Sequence, residues 1–183
     1  MALYLDGKSL TAGELFHNHR FLIPQYQREY AWGKAEVEEF MRDLAGSLTE
    51  DYFIGLIILA GEEDEKEVVD GQQRLVTITL LAHHLVELAL RSERHALVSR
   101  LDSTFLREID YASDEERPRL RLSSAADNAA LMRILNGETE DGPSESQREA
   151  DPAPEVIDLA DHNIAANLLE ASNAIRSFLE NDM

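Results

Sequence analysis

The segment at residues 73–91 constrains the fold of this chain more than any other. Its apolar side chains recur at helical spacing and cover most faces of the helix: Leu75, Val76, Ile78, Leu80, Leu81, Ala82, Leu85, Val86, Leu88 and Ala89. A helix that is apolar on nearly all sides has to be covered by other elements. The sequence therefore predicts a central helix with the rest of the chain packed around it.

The flanking segments predict an α+β fold. Short apolar or alternating runs predict strands at residues 20–23, 53–59, 67–69 and 119–122, with 53–59 fully buried and 67–69 returning beside it as a hairpin. Periodicity and capping residues predict helices beginning at Thr11 and covering residues 34–48, 95–109, 127–135 (capped by Asp127) and 155–179. Charged loops are expected at residues 110–118 and 138–154, the second of them mobile. We expect an α/β domain at 1–122 and a helical extension at 123–183.

A polar junction, Val69-Asp70-Gly71-Gln72-Gln73-Arg74, links a predicted strand to the central helix. A helix entered through Asp-Gly offers free backbone N–H groups that attract anions. Arg74 carries a charged fork that fits a phosphate, and Asp70 suits a magnesium ion or a reacting water. Gln72 and Gln73 suit a base edge, a ribose or a positioned water. Together these side chains indicate a nucleotide or phosphodiester site.

A plain helix cap explains the same junction equally well. Asp70 would then cap the helix, and Arg74 would pair with Asp70 or Glu29.

A second polar stretch lies upstream at residues 23–32, Ile-Pro-Gln-Tyr-Gln-Arg-Glu-Tyr-Ala-Trp. It is too polar for a core element and predicts a structured loop. Its aromatic side chains beside Gln27 and Arg28 suit stacking on a nucleic-acid base, or else pack the loop onto the next helix. We expect the two polar stretches to meet in space and to form one site.

Charge and composition limit the classes of function. The net charge of −19 repels the phosphate backbone, so the whole surface is a poor non-specific DNA binder. Cysteine is absent from the sequence, which excludes disulfide and thiolate chemistry and fits a reducing compartment. No apolar run is long enough to span a bilayer. We expect a cytoplasmic protein without a membrane partner.

Three ordered motifs resemble the signature of one family. Residues 23–32, then Tyr52-Phe53-Ile54-Gly55, then residues 69–75, are similar to the N-terminal domain of GmrSD-type, modification-dependent restriction proteins. Arg119-Leu120-Arg121-Leu122 followed by Asp127 resembles that family's next landmark. The resemblance covers about residues 8–135.

The resemblance implies a ParB/sulfiredoxin-like fold, with a small mixed sheet and packed helices. It also implies phage defence and the binding and hydrolysis of a nucleoside triphosphate, which is GTP, ATP or another, with Mg²⁺. Carried over by position, the catalytic residues are Asp70, Gln73 and Arg74, and the metal ligand is Asp70. The nucleotide-binding residues are Gln27, Arg28, Gly71, Gln72 and Arg74.

The resemblance also implies partners. DNA cleavage would come from an HNH-type nuclease domain or subunit, because the chain carries no nuclease active site of its own, and modified DNA would be met through the larger assembly. An oligomer is compatible with the sequence. The alternative is a non-catalytic sensor of modified DNA or a protein-interaction module.

Two histidine motifs attract attention, and we discount both. His17-Asn18-His19 spells the letters of the HNH nucleases, but that signature is spread over a larger unit. His83 and His84 are adjacent, and adjacent residues on a helix point about 100° apart, which makes a poor metal-binding pair. We expect His83 and His84 to lie at a core edge or an interface.

Overall fold

The computed structural model describes residues 6–47, 49, 51–61, 65–110, 113–138 and 161–181, without the side chains of residues 161–163. The helices in these ranges are α1 Ala12–Asn18, α2 Lys34–Gly46, α3 Gln72–Arg91, α4 His95–Leu101, α5 Ala125–Leu135 and α6 Asp161–Asn181, with a π-helical segment at Asp102–Leu106. The strands are β1 Arg20–Ile23, β2 Ile58–Ala60, β3 Glu65–Asp70, β4 Arg107–Asp110, β5 Glu115–Pro118 and β6 Leu120–Leu122. The predicted mixture of helices and a small sheet is confirmed.

The main sheet is mixed, with the strand order β2-β3-β1-β6. Strand β1 lies inside the sheet and is parallel to both neighbours, with Phe21 opposite Lys66 of β3 and Leu120 of β6. Strand β2 pairs antiparallel with β3, which confirms the predicted hairpin. The chain leaves this sheet at the end of β3 and passes directly into α3, so the sheet edge positions the polar junction.

Helix α3 is central, as the sequence predicts. Leu75 and Leu80 are fully buried, and Thr77 and Thr79 satisfy their hydroxyls by donating to the carbonyls of Gln73 and Leu75 in the preceding turn. Helix α6 packs against α2, α3 and α5 and adds Leu168 to the same apolar core. None of the described helices is long and apolar enough to cross a membrane. The predicted boundary after residue 122 stays a prediction.

The predicted buried strand at residues 53–59 is wrong over most of its length. Only Ile58–Ala60 forms a strand, and Phe53 and Leu56 are 80% and 64% exposed. Strand β2 pairs on one side only, with β3, and the chain before it contains Gly55 in a left-handed conformation with φ +103°. An apolar run predicts burial but not the partner that would cover it.

The prediction also fails around residues 95–118. The helix expected to reach residue 109 ends in the π-helical segment, and Arg107–Asp110 pairs with Glu115–Pro118 as an antiparallel hairpin. Two ion pairs between the strands, Arg107 with Glu116 and Arg117 with Asp110, stabilise this hairpin. Part of the charged run predicted to be a loop is therefore a strand.

The last two helices differ from prediction in their starts. Helix α5 is capped by Ser124, whose hydroxyl accepts from the N–H of Asp127, so the prediction of Asp127 as the cap is wrong. The expected mobile loop at 138–154, apart from Glu138, and the expected start of the last helix at residue 155 lie outside the described residues.

Candidate functional site

Helix α3 begins in an unusual way at the junction. Its N-cap is Gly71 in a left-handed conformation (φ +98°), and no side chain caps the first turn, so Asp70 is not the cap. A Cβ atom at position 71 would lie 2.9 Å from Cγ1 of Ile57. Both the dihedral angle and the close approach exclude a larger residue without strain. The glycine of the motif is therefore required by the backbone.

Gln73 ties the upstream loop, here residues 24–33, to the start of α3. Its Oε1 accepts hydrogen bonds from the backbone N–H groups of Ala31 (3.0 Å) and Trp32 (3.2 Å). Its Nε2 donates to the carbonyl of Glu29 at 3.1 Å. The side chain is buried, and both ends of its amide are used by protein atoms. The structure therefore gives Gln73 a positioning role, and its predicted catalytic role stays a prediction.

Three further contacts join the loop to the rest of the fold. Nε2 of Gln27 donates to the carbonyl of Val69 at 2.8 Å, and Nε2 of Gln72 donates to the carbonyl of Arg28. Nδ2 of Asn167 in α6 donates to the carbonyl of Tyr30 at 3.1 Å. The expected meeting of the two polar stretches is confirmed.

Tyr30 fastens the loop from its buried side. Its hydroxyl lies 2.9 Å from the hydroxyl of Thr77 on α3. Burial raises the pKa of Tyr30 to about 12, although the hydrogen bond to Thr77 acts in the opposite direction. The phenol is therefore neutral at physiological pH and acts as part of the core.

Arg74 points to the other side of the junction, toward the third motif. Its Nη1 donates to the carbonyl of Ile54 at 3.1 Å, and its Nη2 lies 3.5 Å from Oδ2 of Asp70. Gly55 makes room for this guanidinium, since a Cβ atom there would lie 1.9 Å from Nη1. The junction therefore contacts both of the other motifs of the resemblance around the start of α3.

A cleft of about 160 Å³ opens between the upstream loop and the start of α5. Gln27, Arg28 and Gln72 line it, together with Ser123 and Ser124. Their neighbours in the wall include two carboxylates and several apolar side chains: Ile23, Glu29, Tyr30, Val76, Leu122, Asp127 and Ile164. The combination of an arginine with a helix N-terminus suits an anionic group.

The amide of Gln72 in the cleft wall is only partly paired within the described part of the chain. Oε1 of Gln72 is buried and accepts no hydrogen bond from the described residues, although Nε2 of the same amide is paired. A buried carbonyl oxygen without a donor is costly, and native proteins normally satisfy it with water or a ligand. A ligand in the cleft that presents a hydroxyl or an amino group would supply the donor for Oε1 of Gln72.

The structure divides the predicted site residues into two groups. Gln27, Arg28 and Gln72 line the cleft, whereas Asp70 and Arg74 lie at the end of β3 beside the Tyr52–Gly55 motif and do not line it. Gly71 and Gln73 lie between the two groups. Gly71 provides the left-handed backbone at the start of α3, and Gln73 binds backbone atoms of the upstream loop.

Sequence reasoning missed the contribution of the α5 start to the cleft. Ser124, Ala125, Ala126 and Asp127 have the spacing of a helix N-terminus that begins with Ser and has an acid three residues on. That signal was available, but nothing local indicated that this helix start faces the loop around Arg28.

The fold and the site define a small α+β domain built around a polar strand-to-helix junction. The family model described as "GmrSD restriction endonuclease, N-terminal domain" matches residues 12–181. Because the match covers most of the chain, this chain belongs to that family, and the resemblance is confirmed. Membership implies a role in a restriction system and in phage defence, and suggests a nuclease partner domain and the involvement of DNA. No curated protein matches the chain.

Proposed function

We propose that this chain binds a nucleoside triphosphate in the cleft between the upstream loop and α5. The observation that carries the proposal is the buried Oε1 of Gln72, which has no donor among the described residues, in a wall that also presents Arg28 and the α5 N-terminus. A phosphate offers acceptors only, so it would be held by Arg28 and the helix start. The hydroxyl of a ribose or the amino group of a base would supply the donor that Gln72 lacks.

The size of the cleft limits what it holds. Its 160 Å³ is below the roughly 300–1,000 Å³ of pockets that enclose a whole drug-sized ligand. We therefore assign it one end of the nucleotide, with the remainder lying along the exposed side of the loop near Gln25 and Tyr26.

We further propose that the bound nucleotide is hydrolysed with Mg²⁺. Asp70 fits poorly as the sole anchor of the ion, because its carboxylate faces the guanidinium of Arg74 and lies outside the cleft. Glu29 and Asp127 are the carboxylates in the cleft wall, and Mg²⁺ is usually held by one or two carboxylates plus the phosphates. A bound ion would neutralise charge on the phosphates.

In this proposal Asp70 and Arg74 act from the side of the junction that lies beside residues 52–55. Arg74 holds the chain at Ile54, and Asp70 keeps that guanidinium oriented. The family resemblance also leads us to propose a ParB/sulfiredoxin-like fold. We further propose that an HNH-type nuclease domain or subunit is the partner of this chain on modified DNA.

The test measures binding and turnover separately. Fluorescent analogues of GTP and ATP are titrated into the protein, and phosphate release is followed with Mg²⁺. Arg28→Gln should weaken binding by about 10- to 100-fold, since a charge-assisted hydrogen bond contributes roughly 1.5–3 kcal/mol. Arg133→Gln at the far end of α5 is the matched control and should bind as the parent does.

Each result has a distinct meaning. Binding that survives in Asp70→Ala while turnover is lost supports a divided site. If no nucleotide binds, or if Arg28→Gln binds as tightly as Arg133→Gln, the proposal fails.

A second candidate is a non-catalytic sensor of modified DNA. Tyr26 is 68% exposed at the tip of the upstream loop, and an exposed aromatic ring beside Arg28 suits stacking on an unpaired base. Anisotropy of labelled DNA containing the modified base, with Tyr26→Ala as the variant, tests this function.

A further inference from the structure

Helix α3 carries a second cluster of polar side chains, about three turns after its start and separate from the cleft. His83, His84 and Glu87 present one nitrogen or oxygen atom each, and these atoms all lie within 4.8 Å of one another. Both histidines are buried, at 6% and 3% exposure. The Glu87 side chain is 27% exposed and opens the cluster toward solvent.

The three donor atoms come from one helical turn. Glu87 stands three and four residues after the histidines, so its carboxylate reaches both: Oε2 lies 3.1 Å from Nδ1 of His84, and Oε1 lies 3.9 Å from Nε2 of His83. A tetrahedral ion with bonds of about 2.1 Å keeps its ligand atoms about 3.4 Å apart. The contact between Nδ1 of His84 and Oε2 of Glu87, at 3.1 Å, is close to that value, whereas the contact of 3.9 Å to His83 uses the other carboxylate oxygen. The glutamate thus brings together two rings that the helix alone would direct apart.

The surroundings of the cluster fit metal ligands. Nε2 of His84 lies 2.8 Å from the hydroxyl of Ser172 on α6, and Nδ1 lies 3.1 Å from Oε2 of Glu87. An ion bound at Nδ1 would replace the proton there, and the serine would then accept the N–H at Nε2. Histidines that bind metals usually have such an outer partner. Burial, with His84 beside it, lowers the pKa of His83 to about 4, and burial also lowers the pKa of His84. Both rings are therefore neutral at physiological pH, the form that binds a cation.

We propose that His83, His84 and Glu87 form a binding site for a late first-row divalent cation of the zinc class. Two imidazoles and one carboxylate are a ligand set that Zn²⁺ accepts, with a water in the fourth position. Because Ser172 supports the site from α6, the bound ion would join the last helix more firmly to the central one.

The charges of Arg107 and Arg176 both lower the pKa of His83 and oppose a bound ion, and Arg176 makes the proposal testable. Nη2 of Arg176 on α6 lies 3.8 Å from Oε2 of Glu87. Its positive charge repels a cation and competes for the carboxylate. Removing that charge should strengthen metal binding if a metal site exists, whereas a purely structural hydrogen-bond network would gain nothing from the change.

The experiment titrates Zn²⁺ alone into the full chain by calorimetry and Co²⁺ alone by visible absorption, with melting temperatures measured in parallel. We expect one bound ion per chain, a tetrahedral Co²⁺ spectrum with nitrogen and oxygen ligands, and a melting temperature that rises with zinc concentration. His83→Gln should weaken binding by more than about 100-fold, and Ser172→Ala by about 10- to 100-fold. Arg176→Gln should bind several-fold more tightly.

His95→Gln is the matched control, because His95 is an exposed histidine on α4 and should have no influence. Should His83→Gln fail to fold, the parent's Co²⁺ spectrum and the Arg176→Gln affinity decide. The proposal is overturned if zinc at about 1 mM leaves the melting temperature unchanged. It is equally overturned if His83→Gln binds as the parent does, or if Arg176→Gln binds no more tightly.

Discussion

Replacing Gln73 by alanine should destabilise the fold, because this side chain holds the upstream loop. The substitution removes the hydrogen bonds from Ala31 and Trp32 to Oε1 and the one from Nε2 to Glu29. Three such bonds at about 0.5–1.5 kcal/mol each contribute roughly 1.5–4.5 kcal/mol. Water can replace part of this, since Glu29 and Ala31 are exposed residues. We therefore expect a loss of about 2–3 kcal/mol in the free energy of unfolding.

The assay is urea unfolding followed by tryptophan fluorescence. Trp32 is the sole tryptophan and its own amide is bonded to Gln73, so the signal reports on this loop. Gln25→Ala is the matched control, because Gln25 is an exposed glutamine of the same loop, and it should cost less than about 0.5 kcal/mol. Gln73→Glu keeps the acceptor but places a buried carboxylate oxygen against the carbonyl of Glu29, and should cost at least as much as Gln73→Ala.

The result that refutes this reasoning is equally concrete. If the urea midpoint of Gln73→Ala equals that of Gln25→Ala at an unchanged slope, Gln73 does not hold the loop. Hydrogen exchange gives a second reading, since the amides of Ala31 and Trp32 should lose protection in Gln73→Ala alone.

Three more predictions concern single positions. Gly71→Ala should lower the free energy of unfolding by about 2–4 kcal/mol in thermal or urea unfolding, because it combines a left-handed φ with a clash against Ile57. The control Gly46→Ala, in the last turn of α2, should be neutral or stabilising. Wild-type stability should fall as pH rises from about 10 to 12, by up to roughly 2–3 kcal/mol, because Tyr30 must stay protonated in the fold but ionises near 10 when unfolded. A denaturation series in Tyr30→Phe should show a clearly smaller loss, since only Tyr52, whose pKa is also raised, still contributes among the tyrosines with a raised pKa in the described residues. An equal loss in Tyr30→Phe would contradict the prediction. Arg119→Met should cost about 1.5–4 kcal/mol, because it removes the donor to two carbonyls and to Glu108, although Arg20 still pairs with that carboxylate. A calorimetric melt within 1 °C of the parent, roughly the shift from a few tenths of a kcal/mol, would contradict it.

Local patterns predicted the helices well where one sequence stretch decides the structure. The capping box at Thr11 is present. The Thr11 hydroxyl accepts from the N–H of Glu14, and the Glu14 carboxylate accepts from the backbone N–H of Thr11. The first half of α3 is also buried where the periodicity puts its apolar side chains, although Leu88 near the end of the helix is 42% exposed. These features depend on neighbours within one or two turns, which a sequence pattern contains.

Patterns failed where a distant partner decides the outcome. The apolar run at residues 53–59 forms a strand only where β3 pairs with it, and Phe53 stays exposed because no described element covers it. The charged run at residues 115–118 is a strand because β4 pairs with it. Pairing depends on contacts between separate segments, and composition alone does not encode them.

The sequence by itself determined that residues 70–74 and the upstream stretch hold more polar chemistry than a core requires, and it identified the family. Only the tertiary structure decided how that chemistry is divided. It turned Gln73 toward backbone atoms more than 40 residues away, opened the cleft between Arg28 and α5, and brought Glu87 between two histidines. The physical reason is that a polar side chain has several alternative partners, and only the packed fold shows which of them it meets.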